Sequence, residues 1–391
     1  MFKKFFLLAM VLISSCTTQP KEEAIPQYFM PFILPIATTS SNIFIGATNN
    51  DERYKSGKLA ISNTKKMLSA DNNPKNYISK ENEIYSDTQI IKIFESKIFL
   101  ISKANNNLLI LPLNKDNIDC QTNTQTLYNC KNSISHRLKN DPKNLELIKY
   151  NGTTYAFINY ASEYIDILKI EPTKISFAKS ISVSSVSPKN NVNYEVLKVQ
   201  HNKDSIFILF KSYIKKHKID YDENKESIHD TSKEYQSNIT KIAISDIINN
   251  DYNKLETKNL SDLGIIDTKD LYVDDNKAWI LNYNPSTIIQ INLANFSIIK
   301  KVDICSSATM LATDSVKNVL VIPCFKDNIV QLYSLNELEI KNQANIKKQT
   351  PSYAAIDSVN NIILVSYFEE HMVGVFDMNL KLIKTLFSKA K

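Results

Sequence analysis

Short apolar runs separated by polar turns fill most of the chain, and one run recurs seven times. It reads Ile43-Phe44-Ile45, Ile98-Phe99-Leu100, Ala156-Phe157-Ile158, Ile206-Phe207-Ile208, Ala278-Trp279-Ile280, Val319-Leu320-Val321 and Ile363-Leu364-Val365. Runs of this length, rich in β-branched and aromatic residues, predict strands rather than helices. A preceding strand lies one tight turn upstream of most copies: 89–95, 145–150, 196–200, 271–274, 310–314 and 353–357. Turns such as Asp274-Asp275-Asn276 and Asn360-Asn361 supply Asn and Asp where left-handed backbone is wanted. A third strand follows each copy (59–62, 108–113, 165–170, 239–244, 288–293, 329–335 and 373–378), and a more polar fourth fits most units, as at 177–183 and 382–387.

Seven such units have a period near the ~40–50 residues of propeller blades. The second strand is apolar on both faces, as expected when a sheet packs between two neighbours, and the polar fourth strand suits a rim. A pair of β-sandwiches would leave the four-strand grouping unexplained, and β-helix rungs are shorter. The reading is an all-β fold, a β-propeller of seven four-stranded blades. Six or eight blades stay open, because units one and four are irregular. Unit four carries an insertion, 211–238, with Lys215-Lys216-His217-Lys218 and His229. That connection leaves on the face that also bears the links between blades, so it is expected to be either a partner-binding hairpin or lid, or a solvated extension.

The N-terminus breaks the pattern. Met1-Phe2-Lys3-Lys4 precedes the apolar run 5–13 and Ser14-Ser15-Cys16, which is a secretory signal. The run is too short to span a bilayer, which takes ~20 residues. Ile13-Ser14-Ser15-Cys16 resembles the lipobox of bacterial lipoproteins. That resemblance implies cleavage before Cys16, lipidation of Cys16 and membrane partnership through the lipid. Thr17 leans the destination toward the outer membrane of a diderm cell envelope. The expected organisation is a signal peptide (1–15), a lipidated tether (16–28) and one propeller domain (29–391), with the segment 29–34 as its first strand. Losing residues 1–15 removes Lys3 and Lys4, so a net charge of +6 becomes +4. With no basic stripe interleaved with aromatics, no nucleic-acid partner is expected.

The last three units are similar to one another in more than pattern. Residues 312–321 (Ala312-Thr313-Asp314-Ser315-Val316-Lys317-Asn318-Val319-Leu320-Val321) are echoed at 355–365, and each copy continues into a tip and return strand, Phe325-Lys326-Asp327-Asn328-Ile329-Val330 and Phe368-Glu369-Glu370-His371-Met372-Val373. This resembles the YVTN/YncE-type repeat of bacterial envelope propellers, a group with lactonase-like members. The resemblance covers about residues 267–387 and lacks the usual turn glycines: the whole chain has only 5 Gly. Asparagine, which tolerates φ > 0, stands in for them, as at Asn105-Asn106-Asn107.

With Cys16 lipidated, Cys120, Cys130, Cys305 and Cys324 remain, an even number in an oxidising compartment. Three pairings are possible. Cys305 precedes the first strand of unit six and Cys324 ends its second, which puts them at one end of an antiparallel hairpin and favours Cys305–Cys324. Cys120–Cys130 follows by elimination.

Catalytic signatures are sparse. His136, His201, His217, His229 and His371 form no metal-binding pair, and neither a phosphate loop nor a nucleophile elbow is present. Under a lactonase-like alternative, Glu146, Glu195 and Asp267 would stand at the channel mouth and hold calcium for a metal-dependent hydrolase, although units six and seven offer Ser307 and Ser352 there. The isolated Trp279 argues against a quinone propeller. The leading expectation is a lipid-anchored, non-catalytic binding or scaffolding protein, with no cofactor, taking a protein or small-ligand partner on its loop-bearing face. A role in an outer-membrane assembly machine is a third possibility.

Overall fold

Seven antiparallel sheets, each with its first four strands or their equivalent in chain order, are arranged as the blades of a β-propeller. Blades 1 to 7 cover residues 33–84, 88–137, 142–182, 193–259, 268–303, 312–345 and 351–386. In blade 2 the outer place is taken by Ile134–Arg137, which pairs with Asn107–Asn114 after the short Asn117–Ile118 strand. The computed structural model describes residues 30, 32–48, 56–115, 117–118, 127, 130, 132–186, 192–221, 227–251, 255–346 and 349–387; side chains of 214–234 are outside that description. The expected signal peptide, Cys16, the tether and Cys120 all lie outside the described residues.

All seven recurrent runs are second strands. Asn42–Ala47, Val319–Cys324 and Ile362–Tyr367 are buried at every position, because each sheet is covered on both faces. Seven apolar clusters fill the seven blade–blade junctions. Trp279 belongs to the junction of blades 5 and 6, where its indole N–H donates to Leu335 O at 2.8 Å. Outer strands are solvated, as Ile340–Asn345 illustrates. Asn106, Asn151, Asn318, Asn328 and Asn361 take positive φ at turns, whereas Asp274, Asp275 and Asn276 do not. There the chain turns instead around an Asp274 N–H to Lys277 O bond.

One expectation is corrected. The first strand is Ile33–Thr38 rather than 29–34. Phe32 has φ 50°, and its N–H goes to His371 Nδ1 at 2.8 Å, so the sheet begins only after that bend. The insertion of blade 4 takes the form of a hairpin, one of its two expected readings. The second and third strands continue as Ser205–Tyr221 and Ser227–Ala243, paired from Ser205↔Ala243 out to Tyr221↔Ser227.

The ring closes between blades 7 and 1 without exchange of strands. One cluster there joins Met30, Ile33 and Ile45 to Leu364, Val375 and Phe387. Two short helices, Thr64–Ser69 and Pro74–Tyr77, are inserted between the third and fourth strands of blade 1. The Lys384 ammonium, on the outer strand of blade 7, donates to Met67 O (2.8 Å), Ala70 O (2.8 Å) and Asp71 O (3.1 Å) at the end of the first helix. Orphan carbonyls at a helix C-terminus favour a cation. The device recurs at the junction of blades 3 and 4. Lys179 donates to Ile247 O, Ile248 O and Asn250 Oδ1 around the end of helix Ile244–Asn249.

Candidate functional site

The first strands of the blades lie against one another around the axis, so charged residues on them meet across blade boundaries. Lys92 (strand Thr88–Phe94) donates to Glu146 Oε2 at 2.6 Å, and Glu146 lies on Pro142–Tyr150. His201, at the end of Asn193–His201, places Nδ1 2.6 Å from Glu146 Oε1. Lys198 of that strand reaches Asp270 Oδ1 on Thr268–Val273 at 3.0 Å. Asp270 Oδ2 also accepts the Leu311 N–H at 2.9 Å. Burial alone would raise the Glu146 carboxyl, but Lys92 and His201 outweigh it and hold it below the usual range. Burial would lower the Lys198 ammonium, and Asp270 more than reverses that. Tyr353 of blade 7 feels Lys198 and Asp270, yet desolvation raises its hydroxyl above the ordinary value.

On the face bearing the links and the second-to-third-strand connections, blades 4 to 6 carry a row of charged and aromatic groups. Lys211 at the hairpin base pairs with Asp267, with its ammonium 5.5 Å from the Tyr235 ring centre. The Tyr213 and Tyr235 rings are 5.6 Å apart at the point where the hairpin leaves the disc. Below them the base is fixed: Asn238 Nδ2 donates to Ser212 Oγ at 3.0 Å, and Ser237 Oγ donates to Ile266 O at 2.6 Å. On blade 5 the Lys269 ammonium lies 4.9 Å from the Tyr283 ring centre, and Tyr283 Oη is 3.3 Å from Ser307 Oγ. Cys305, in the link from blade 5, is disulfide-bonded to Cys324 with Cα atoms 6.0 Å apart, within the window expected for the hairpin end. A bridge between Ala308 and Cys324 completes the attachment.

Of the carboxylates expected at the channel mouth, Glu146 does line the inner strands but is held by Lys92 and His201. Asp267 is held by Lys211, and Glu195 is half-buried opposite Lys211 in the strand register. They do not converge on one point: among the described residues no group of three or more His, Cys, Asp or Glu could hold a metal ion. Ser307 points to Tyr283, and Ser352 Oγ donates to Thr350 O at 3.1 Å. His371 is the acceptor for Phe32, and His136 is a partly buried rim residue whose burial lowers its pKa. The backbones of His217 and His229 face opposite strands of the hairpin, two positions out of register. Cys130 is buried and disulfide-bonded, while Cys120, its expected partner, is outside the described residues.

Lys92, Lys198 and Asp270 were not singled out in the sequence, and His201 was read there only as a histidine without a metal-binding partner. The available signal was a lysine inside a first strand whose neighbours are apolar, Ile91-Lys92-Ile93 and Leu197-Lys198-Val199. Such an interruption is the mark of a charged face turned to the channel.

No family model matches the sequence, and no curated protein matches it. Two solved structures are similar in fold. The computationally designed Ika8 protein is 10% identical, with a TM-score of 0.50, covering 92% of this chain and 88% of that one. Sqt1 of Saccharomyces cerevisiae is 9% identical, with a TM-score of 0.52, covering 92% and 86%. At this identity the likeness speaks for the fold alone.

Proposed function

We propose that this protein is a lipid-anchored propeller of the cell envelope, of the YVTN-like kind, that binds a protein or small ligand on its link-bearing face. The observation that carries the reading is the blade 4 hairpin. Seventeen-residue strands, Ser205–Tyr221 and Ser227–Ala243, extend one blade well beyond its six neighbours, on the face where the Cys305–Cys324 bond fixes a blade link. A disulfide in the propeller suits an oxidising compartment, in keeping with the signal and lipobox pattern ending at Cys16. The lactonase-like alternative gains nothing from the channel, whose carboxylates carry lysine partners.

Two experiments test this reading. Residues 214–234 are replaced by an Asn-Gly turn joining Tyr213 to Tyr235, which keeps the Lys211–Asp267 pair and the Asn238 contacts. Crosslinking in intact cells should then lose a partner that the parent protein retains, at an unchanged melting temperature. An identical crosslinking pattern would remove the hairpin from the function. For the anchor, metabolic labelling with an alkynyl fatty acid should mark the parent protein and not Cys16→Ala, and Cys16→Ala should leave the membrane fraction. Equal labelling would sink the lipoprotein reading.

A further inference from the structure

The charged ring around the axis pairs two lysines with two carboxylates, but only the lysines remain accessible. The Glu146 and Asp270 side chains are 7% and 8% exposed, whereas those of Lys92 and Lys198 are 33% and 23% exposed. The carboxylate oxygens are also already engaged. Glu146 Oε2 accepts from Lys92, and Oε1 lies against His201. Asp270 Oδ1 takes Lys198 and the Leu271 N–H at 3.0 Å, and Oδ2 takes the Leu311 N–H. An ammonium carries three N–H donors. Among the described residues Lys92 has Glu146 as its one polar partner and Lys198 has Asp270, so each keeps donors for the channel.

Tyr353 adds a donor from the far side. It lies on Pro351–Asp357 of blade 7, half-buried, with its ring packed at the junction of blades 7 and 1. Its hydroxyl makes no hydrogen bond among the described residues, and it is not one of the sealed, unpaired oxygens. Blade 7 packs against blades 6 and 1, yet the hydroxyl feels Lys198 of blade 4 and Asp270 of blade 5. A group on blade 7 reaches those residues only across the axial channel. Desolvation raises the hydroxyl above its ordinary pKa, so it stays protonated and can donate. The unused hydrogen-bonding capacity of this ring is thus dominated by donors, two of them ammonium groups. Low-dielectric walls strengthen such groups relative to an open surface.

We propose that the channel binds a small oxyanion, a carboxylate or a phosphate, held by the ammonium groups of Lys92 and Lys198 and by the Tyr353 hydroxyl. A cation is disfavoured, because the carboxylates that would receive it are buried and already paired. The site is separate from the blade 4 hairpin and does not depend on what that hairpin binds.

The test uses the full-length chain and calorimetric titration at low ionic strength with three probes: inorganic phosphate, acetate and neutral acetamide. At least one anion should bind, acetamide should not, and the tighter anion assigns the class. Tyr353→Phe should weaken that anion about tenfold, the effect of one hydrogen bond to a charged group. The same variant should melt no lower than the parent, because the hydroxyl has no partner to lose. Lys198→Met/Asp270→Leu removes one ammonium without changing the net charge, and should weaken the anion about a hundredfold. The protein with 214–234 replaced by the Asn-Gly turn should bind as the parent does. Binding of neither anion, acetamide binding as tight as the anion's, either channel variant binding as the parent does, or loss of the anion with the hairpin would each overturn the proposal.

Discussion

Glu146 is a residue at which three blades meet, with Lys92 from blade 2 and His201 from blade 4 sharing its two oxygens. Its carboxyl is held below the ordinary value of ~4.3. The stability it contributes is therefore present above that ordinary value and is lost as pH falls through the lower folded one. Glu146→Gln should erase this part of the acid sensitivity. Urea unfolding at neutral pH should show the variant destabilised, and the gap should close in acid; parallel curves throughout would contradict the assignment. Lys198 and Asp270 behave as a more buried pair. Asp270→Ala strips Lys198 of its partner and leaves the Leu311 N–H without an acceptor, so it should cost about 3 kcal/mol in urea unfolding. The double variant Lys198→Met/Asp270→Leu should recover most of that loss, because well-packed apolar replacements of a buried ion pair are often neutral. None of these partners was legible in sequence order, since Lys92 and Glu146 are brought together by the ring and not by spacing.

At the scale of elements, the two lysine clasps differ in a way that can be measured. Lys384 is nearly buried and has three carbonyl partners, whereas Lys179 is half-buried. Lys384→Met keeps the apolar stem and removes the donors, and should cost about 2 kcal/mol. Lys179→Met should cost about half as much, and equal costs in chemical denaturation would count against a burial-dependent clasp. The Cys305–Cys324 bond closes a segment of sequence separation 19, so Cys305→Ser/Cys324→Ser should lose about 3 kcal/mol by the chain-entropy argument. Reductant should lower the melting temperature of the parent more than that of the variant, which keeps only the disulfide of Cys130. The second strands were readable because both faces are buried and the runs Ile98-Phe99-Leu100 and Val319-Leu320-Val321 are uniformly apolar. The hairpin was read only as one of two options, because Lys215-Lys216-His217-Lys218 carries no apolar alternation to mark a strand. The clasping helices were missed for a related reason: Thr64–Ser69 has only Thr64 and Met67 buried, too short a stripe to show a helical period.

For the whole molecule, the order of the blades and seven as their leading number could be read from the recurrence, with six and eight left open by the irregular units one and four, while the way the circle closes could not. Closure depends on residues at opposite ends of the sequence, such as the Phe387 N–H donating to Tyr77 Oη at 2.9 Å, and no local pattern records such a pairing. Every blade is nonetheless a continuous stretch of chain, and the seam is held by side chains and backbone contacts alone. The circle thus has no structurally privileged beginning. A circular permutant opened in the 260–267 link, with residues 30 and 387 joined by a short linker, should refold to the same melting temperature within a few degrees; failure to fold would show that closure of the ring depends on an open seam between blades 7 and 1. The same arrangement bears on ancestry. A gene could gain or lose one blade by tandem duplication or deletion without rethreading any sheet, and the kinship of 312–321 with 355–365 is what a comparatively recent copying event would leave behind.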